Sequence, residues 1–278
     1  MNPKVSIVIP VYNEEKDIEN CLTTLSNQTY MPLEIITVDD GSNDTTLRKI
    51  KRFRNVKILT QKHKGPATAR NLGVKKAKGE ILVFVDADMT FDNEFIKRLV
   101  RPILKNETVG TFSKDEMVAN KDNVWSICWN LNRGLGPDKM HSKDYPDTQP
   151  VFRAILKKEF DRIGGFDNIG YTDDWTLSRK LGVMAACAPE AIFYHKNPDN
   201  LTEIWKQARW IGKNEFISGS IIRKIWSLWR YGLVTSVFTA FKISLKSRNP
   251  RFLIFKLWYD TAVWVSVVKS FFGESKAK

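Results

Sequence analysis

The stretch Ile81-Leu82-Val83-Phe84-Val85-Asp86-Ala87-Asp88-Met89 decides how the chain is read. Its apolar run, Ile81 to Val85, predicts a strand buried on both faces, the pattern of a parallel sheet. The run leads directly into two carboxylates one residue apart. A strand ending in Asp-x-Asp delivers both acids to its C-terminal edge, where open α/β sheets bind ligands. In extended chain the side chains at i and i+2 point the same way, so Asp86 and Asp88 are expected on one side. Two hard oxygen ligands there suit Mg2+ or Mn2+, with phosphate oxygens completing the shell. Taken alone the motif is also compatible with a solvated loop after a strand. The surrounding sequence decides between the two.

Outward from this strand, Val5–Pro10, Leu33–Val38 and Val56–Thr60 read as three more. Helical patterns separate them. Asn13 is expected to cap a helix over Ile18, Leu22 and Leu25, and Asn43 or Asp44 starts a short one reaching about Phe53. Gly65-Pro66 opens another, with Pro at its first position, and Asp92 caps the helix of Phe95, Leu99 and Ile103. This βαβα rhythm predicts an α/β fold with a doubly wound, mostly parallel sheet and flanking helices. Past position 105 the rhythm loosens. Val109–Phe112 and Val151–Ile155 read as strands, Val124–Leu131 and Phe160–Ile163 as helices, and 134–150 as a mobile loop near the site. Asp173–Leu181 reads as a helix with two acids in its first turn, where the dipole favours them, and Ile192–His195 as strand-like.

Composition sets the class. At 278 residues, 42% hydrophobic and 12% aromatic, the chain is globular rather than disordered. Cys21, Cys128 and Cys187 have no short spacing, which points to a reducing compartment without a disulfide framework. The N-terminus enters a strand directly, so no signal peptide is expected. The net charge of +13 is uneven: residues 201–278 hold 14 Lys and Arg against 4 Asp and Glu, and six of the nine tryptophans. Ile222, Trp226, Trp229, Leu233, Val237, Phe241 and Leu245 recur every three or four positions. The longest uncharged run there, Tyr231–Phe241, is far short of the ~20 residues a spanning helix needs. Basic side chains interleaved with Trp predict an in-plane amphipathic tail on an anionic membrane surface. Packing of the same helices on the sheet domain is the alternative. No nucleic-acid motif is present, and nucleic acid is not expected as a partner.

Five segments, in order, carry a resemblance: Val5-Ser6-Ile7-Val8-Ile9-Pro10-Val11-Tyr12-Asn13-Glu14, Val38-Asp39-Asp40-Gly41-Ser42, Gly65-Pro66-Ala67-Thr68-Ala69-Arg70-Asn71, Val85-Asp86-Ala87-Asp88, and Gly164-Gly165-Phe166-Asp167 followed by Thr172-Asp173-Asp174. Together they resemble glycosyltransferase family 2, inverting enzymes of GT-A fold, over about residues 3–215. The resemblance implies a catalytic domain at 1–215, with a nucleotide-binding half to about 105 and an acceptor half beyond, and leaves 216–278 as the basic, Trp-rich helical tail. It implies that Pro10, Tyr12 and Glu14 border the base and ribose and that Asp40 accepts a hydrogen bond from the base edge. Arg70 then lies near the base or diphosphate and Asp86 on the ribose side. Asp88 is the main ligand of Mn2+ or Mg2+, with Asp86 beside it and His195 as a late metal-binding histidine. Asp174 matches the catalytic base, with Asp173 next to it; the family often has Glu-Asp where this chain has Asp173-Asp174. Lys206-Gln207-Ala208-Arg209-Trp210 resembles the Gln-x-x-Arg-Trp motif of processive members, but Lys206 replaces its first Gln, which argues against processive polymerisation. Arg209, Trp210 and Trp175 are the residues expected at the diphosphate or the acceptor.

The function expected is inverting transfer of a sugar from a nucleoside diphosphate sugar, UDP ahead of GDP, to a hydroxyl of a lipid-linked sugar, glycolipid or polysaccharide. The location expected is the cytoplasmic face of a membrane. A nucleotidyltransferase also pairs acids with a metal on an α/β sheet, but it usually brings a Gly-rich basic signature where this chain has Pro10-Val11-Tyr12-Asn13-Glu14. A non-enzymatic basic protein that binds nucleic acid or membrane rests on charge alone.

Overall fold

The chain begins with β1 (Val5–Val11), α1 (Ile18–Ser26), β2 (Leu33–Asp39), α2 (Thr46–Ile50), β3 (Val56–Thr60), α3 (Pro66–Val74), β4 (Ile81–Phe84), β5 (Met89–Phe91) and α4 (Phe95–Leu104). The computed structural model describes residues 2–169, 172–216 and 221–271. These divide into an α/β unit, Met1–Met117 with His141–His195, and a helical unit, Val118–Met140 with Lys196–Lys278.

In the α/β unit the strands sit where their side chains require. Alternate residues of β1 feed two cores, with Val5, Ile7, Ile9 and Val11 in one and Val8 in the other. β4 does the same with Ile81 and Val83 against Leu82 and Phe84. A strand apolar on both faces belongs in mid-sheet under helices. β3, β2, β1 and β4 are accordingly parallel neighbours. α4 buries Phe95, Ile96, Leu99, Val100 and Ile103, the spacing of one helical face. α3 lies close on β1 because it carries Gly73 there: a Cβ at that position would meet Val8 Cγ1 at 2.4 Å.

The second half of the chain adds β6 (Gly110–Phe112), β7 (Glu116–Val118), α5 (Val124–Asn132), β8 (Thr148–Gln149), β9 (Ala154–Leu156), α6 (Lys157–Arg162), α7 (Thr176–Leu181), β10 (Ala185–Cys187) and β11 (Phe193–His195). The main sheet reads β3-β2-β1-β4-β9-β6-β10-β8, and β9 runs antiparallel to both its neighbours. A smaller sheet, β5-β11-β7, stands beside it. The β4–β9 register sets Arg153, whose carbonyl accepts from Phe84 N at 2.8 Å, beside the C-terminal end of β4.

Several local expectations change. β4 ends at Phe84, and Asp88 lies in a turn, so the extended geometry assumed for Asp-x-Asp does not persist. Asn13 caps no helix: it is left-handed at φ 56°, and its side chain accepts from Asn43 N at 2.9 Å, tying the end of β1 to the end of β2. Within 134–150 lie the short strand β8 and the buried Met140.

The helical unit comprises α5 with α8 (Leu201–Phe216), α9 (Ile221–Arg230), α10 (Leu233–Ser247) and α11 (Arg251–Phe271). Its core gathers Cys128, Trp129, Ile204, Ala208, Phe252, Phe255, Tyr259 and Val263. Buried Asn197 ties its chain segments together, donating to Asn130 Oδ1 at 3.0 Å and Ser126 Oγ at 3.2 Å. The boundary expected at 215 falls inside α8. The unit starts at Lys196 and recruits residues 118–140, because α5 supplies apolar surface that α8 and α11 bury. Residues 217–220 and 272–278 of the expected tail lie outside the described residues. Among the described residues no helix is long and apolar enough to cross a membrane.

Candidate active site

The ends of β1, β2 and β4 open onto one cleft of about 320 Å³, lined by Pro10, Tyr12, Glu14, Asp40, His63, Pro66, Asp86 and Asp88 among others. Five of the six residues expected to bind nucleotide line it; the sixth, Arg70, reaches it through Asp86. A larger hollow of about 620 Å³ sits at the opposite edge of the strands, by Lys4, Glu80 and Leu156. It has a single acid in its lining and lies at the wrong end of a parallel sheet for ligand chemistry.

The two acids of the Asp-x-Asp motif have different surroundings. Asp86 is fully engaged: Arg70 donates to Oδ1 at 2.9 Å and Arg153 to Oδ2 at 3.0 Å. Burial opposes its charge, yet Arg153 and Arg70 outweigh that and hold the carboxyl far below the usual range. With an arginine on each oxygen, Asp86 fits poorly as the metal ligand the sequence allowed; it is the anchor of two cations. Asp88 is the opposite case. His195 Nε2 lies 3.0 Å from its Oδ2, while its Oδ1 is buried without a partner.

His195 is flanked on both sides, with Nδ1 2.9 Å from Glu116 Oε1. Glu116 Oε2 is in turn 2.9 Å from His141 Nε2, and the His141 ring stacks on Tyr145 at 3.9 Å. Burial disfavours the imidazolium, but hydrogen bonds to Asp88 and Glu116 raise the His195 pKa well above the imidazole range. Asp88, in the cleft lining, and His195 are thus brought together although they are 107 residues apart. Among the described residues no group of three or more His, Cys, Asp or Glu side chains is arranged to hold a metal ion. The pair Asp88 and His195 still suits a divalent cation that takes its remaining ligands from a diphosphate. The orphaned Oδ1 is a free hard ligand, and Glu116 on Nδ1 is the outer partner a metal-bound histidine needs.

Asp40 is 3% exposed and already satisfied. Gln61 Nε2 and Lys64 N donate to Oδ1 at 2.6 and 2.9 Å, Gly65 N donates to Oδ2 at 2.8 Å, and His63 Nδ1 lies 2.9 Å from Oδ2. A carboxylate has about four acceptor sites, so a base edge can reach Asp40 only by displacing one of these. His63 is the exposed one, and its ring stacks on Tyr12 at 4.1 Å. Gly65, at φ 90°, turns the chain so that its own N–H meets Asp40 before α3 starts. Glu14 is pushed up to about 7 by burial first, then by the charges of Asp88, Asp17 and Asp86.

Asp173 and Asp174 form a single helical turn ahead of α7. Asp173 faces Arg70, with NH1 to Oδ1 at 3.6 Å. Asp174 keeps a buried Oδ1 without a partner, and burial pushes its carboxyl upward against the pull of Arg70. Asp173 is raised as well, again by burial first. Trp175 follows, 42% exposed. Arg209 and Trp210 lie on α8 in the helical unit, where the Arg209 carbonyl accepts from Ser266 Oγ at 3.1 Å and the Trp210 side chain is exposed; the residues lining the cleft do not include them. Sequence reading missed Arg153, Glu116, His141 and His63. None sits in a short motif. Arg153 alone had a signal, as a lone cation in an apolar strand.

The sequence profile described as "Glycosyl transferase family 2" matches residues 6–164. EpsJ of Bacillus subtilis (strain 168), described as an uncharacterized glycosyltransferase, is 36% identical over 223 residues, 73% of this chain and 64% of that one. The chain spans no more than about two thirds of the length of the first curated relatives it matches. Among solved structures, the mannosyltransferase PcManGT of Pyrobaculum calidifontis, in complex with GDP-Man and Mn2+, superposes with a TM-score of 0.62 at 19% identity, covering 99% of this chain and 89% of that one. S. aureus TarS in complex with UDP-GlcNAc superposes at 0.56 and 15% identity, covering 99% and 93%. The fold is thus GT-A-like. The matched region runs from β1 past β4 to the Gly164 turn and carries the whole nucleotide-side cleft, so the chain belongs to glycosyl transferase family 2.

Proposed function

We propose that the chain is an inverting glycosyltransferase. It moves a sugar from a nucleoside diphosphate sugar, UDP ahead of GDP, to a hydroxyl of a lipid-linked sugar, glycolipid or polysaccharide. It uses Mn2+ or Mg2+ and works as a peripheral protein at the cytoplasmic face of an anionic membrane. The observation that carries this reading is a pair of acids on separate segments, Asp88 and Asp174, each with a buried carboxylate oxygen that no protein group satisfies. A buried unpaired polar atom costs about 1–3 kcal/mol. Asp88 lines the cleft, and Asp174 adjoins Asp173, which faces the Arg70 that holds Asp86; open oxygens at these two acids suit a metal ligand and a proton acceptor.

The residues divide the work. A divalent ion held by Asp88 and His195 would supply positive charge for the departing diphosphate. Asp174 accepts the proton of the acceptor hydroxyl as that oxygen bonds to the anomeric carbon and the carbon–phosphate-oxygen bond breaks. One displacement inverts the centre. Burial of Asp174 strengthens it as a base, since the same environment that disfavours its charge raises its affinity for the proton. Arg70 and Arg153 hold Asp86 in place at the ribose side. Tyr12 offers a ring for the base to stack on, and Asp40 reads the base edge once the His63 ring gives way. Trp175, exposed and next in the chain to Asp174, is assigned to acceptor contact, while Arg209 and Trp210 on α8 are assigned to acceptor or diphosphate by motif alone. The solved complexes of TarS with UDP-GlcNAc and of PcManGT with GDP-Man and Mn2+ are in keeping with both donor classes and with the metal.

The test is a screen of UDP- and GDP-sugars with Mn2+ or Mg2+, with the released nucleotide and the product anomer identified. Release of nucleoside diphosphate with inversion is expected. Release of pyrophosphate would mean nucleotidyl transfer and overturn the reading, as would retention of configuration.

A further inference from the structure

Helices α9 and α10 are packed inside out. On α10 the buried positions are Ser236, Ala240 and Ser244, small residues four apart, while Leu233, Val234, Val237, Phe238, Phe241 and Leu245 face solvent. Their exposure runs from 46% at Val237 to 83% at Val234. On α9 the buried residue is Ser227, and Ile221, Ile222, Ile225, Trp226 and Trp229 are outside. Both outward sets follow the spacing i, i+1, i+4, i+5, i+8, so each forms one continuous stripe along its helix. The inward stripe is not idle: Ser236 Oγ donates to Asp260 Oδ2 on α11 at 2.6 Å, which fixes α10 with its small side against the core. Lone exposed apolar residues are normal on soluble surfaces, but contiguous stripes of this extent mark a contact surface.

Charge identifies what the surface meets. Residues 221–248 carry Arg223, Lys224, Arg230, Lys242, Lys246 and Arg248 and no Asp or Glu. The Arg230 guanidinium lies over the Trp226 ring at 5.2 Å, a cation held at the rim of the apolar stripe. A second copy of the chain is a poor occupant: a two-fold contact sets each patch against itself and brings these cations together with no acid of the segment to offset them. An anionic lipid surface meets both features, since phosphate headgroups pair with the cations while the acyl boundary takes the apolar stripes. Small residues inward and large ones outward is also the arrangement hydrocarbon surroundings select.

We propose that α9 and α10 form a membrane-docking pair that lies in the headgroup–acyl boundary of an anionic leaflet, with Ile222, Trp229, Val234 and Phe238 inserted and the exposed cations Arg223, Arg230, Lys242, Lys246 and Arg248 at phosphate level, while Lys224 is turned to α11, donating to the Ser270 carbonyl. α11 is its scaffold and not part of the insertion, since Phe252, Phe255, Ala262, Val263 and Val267 are buried in the unit core. This sharpens the peripheral membrane location proposed above and rests on it, but it is independent of the transfer chemistry, because vesicle binding is read without turnover.

The experiment floats the full chain with vesicles of phosphatidylglycerol and phosphatidylcholine in equal parts, and with phosphatidylcholine alone, at low and high salt, following Trp emission. Binding to the anionic vesicles with a blue shift is expected, weaker but still measurable at high salt. W229E with F238E should abolish the salt-resistant part. K242Q with K246Q should weaken partition at low salt by ~tenfold or more. Both variants should melt and bind UDP as the wild type does, because the altered side chains face solvent. If the acidic pair lowers the melting temperature, the lysine pair carries the test alone. The proposal is overturned by a full chain that ignores anionic vesicles at low salt, or by variants that bind like wild type. It is equally overturned by a dimer in solution that F238E dissolves, which would put a second copy on the stripes.

Discussion

The α/β unit and the α9–α10 pair depart from ordinary packing in opposite ways. In the first, large apolar side chains are inside and the irregularity is polar: Asp88 and Asp174 each keep a buried carboxylate oxygen without a partner. In the second, polar groups are satisfied and the irregularity is apolar: small side chains are inside while Phe238 is 72% and Val234 83% exposed. Each departure costs stability in the isolated chain, by lost hydrogen bonding in one case and by hydration of apolar surface in the other. On the function proposed above, a bound metal and acceptor would relieve the first, and on the docking proposal an anionic leaflet would relieve the second.

The largest effect expected is on turnover. Asp174→Asn should leave donor affinity intact and lower turnover by ~10²–10⁴, the usual range for loss of a general base. A greater loss from Asp173→Asn would move the base to its neighbour. Because burial raises the Asp174 pKa, the acid limb of the wild-type turnover profile should lie above the ordinary aspartate value of about 3.9.

Next in size is a pair of phenylalanines in the helical unit. Phe255 is fully buried, and Phe255→Ala should cost about 3–5 kcal/mol in urea unfolding. Phe238→Ala should stay within about 0.5 kcal/mol, as surface positions do. Equal costs would mean that the outer face of α10 is covered, and the comparison of the two regions would fail.

Arg153→Met tests the cleft carboxylate that is closed by two arginines. Asp86 is left with a single arginine, and a cost of about 2 kcal/mol is expected, less than for a wholly buried pair because its side chain is 36% exposed and water screens it. The folded-state pKa of Asp86 is depressed, so its contribution is present above the unfolded value of about 3.9 and lost as the pH falls through the lower folded value. The difference between Arg153→Met and wild type should therefore shrink in acid. A gap that persists unchanged in acid would assign the cost to packing over Phe193 instead.

Asp174 has the opposite sign and the smallest effect. Its folded pKa is raised, so its favourable contribution is complete below about pH 3.9 and is lost as the pH rises through the folded value. Asp174→Asn should accordingly melt slightly higher than wild type at neutral pH, by up to about 1 kcal/mol, with the advantage fading in acid. A destabilised variant at neutral pH would show that the Asp174 charge is better satisfied than its open oxygen indicates.

Much of the site was legible because its acids follow strands whose apolar runs allow one reading. β1, β2 and β4 appear within a residue or so of expectation, and Tyr12, Glu14, Asp40, Asp86 and Asp88 line one cleft. The expectation that Asp86 and Asp88 point to one side assumed extended chain, and the chain turns after Phe84. Position 153 carried only the mark of a lone cation in an apolar strand; its pairing with Asp86 depends on the β4–β9 register, which no local pattern gives.

By itself the sequence determined the order of strands and helices, the sheet edge that carries the acids, and the basic, Trp-bearing character of the C-terminal helices. These depend on local apolar runs, turn residues and charge counts, all properties of neighbours in the chain. Tertiary structure alone decided which carboxylates are paired and which way the tail helices face. Asp86 is closed by Arg153 from 67 residues away, and Asp88 meets His195 from 107 away. The outward face of α10 was fixed only when α11 offered Asp260 to Ser236 and its own phenylalanines to the core. A periodicity of three to four marks that a helix has an apolar stripe; whether the stripe turns inward depends on what the rest of the chain has already buried.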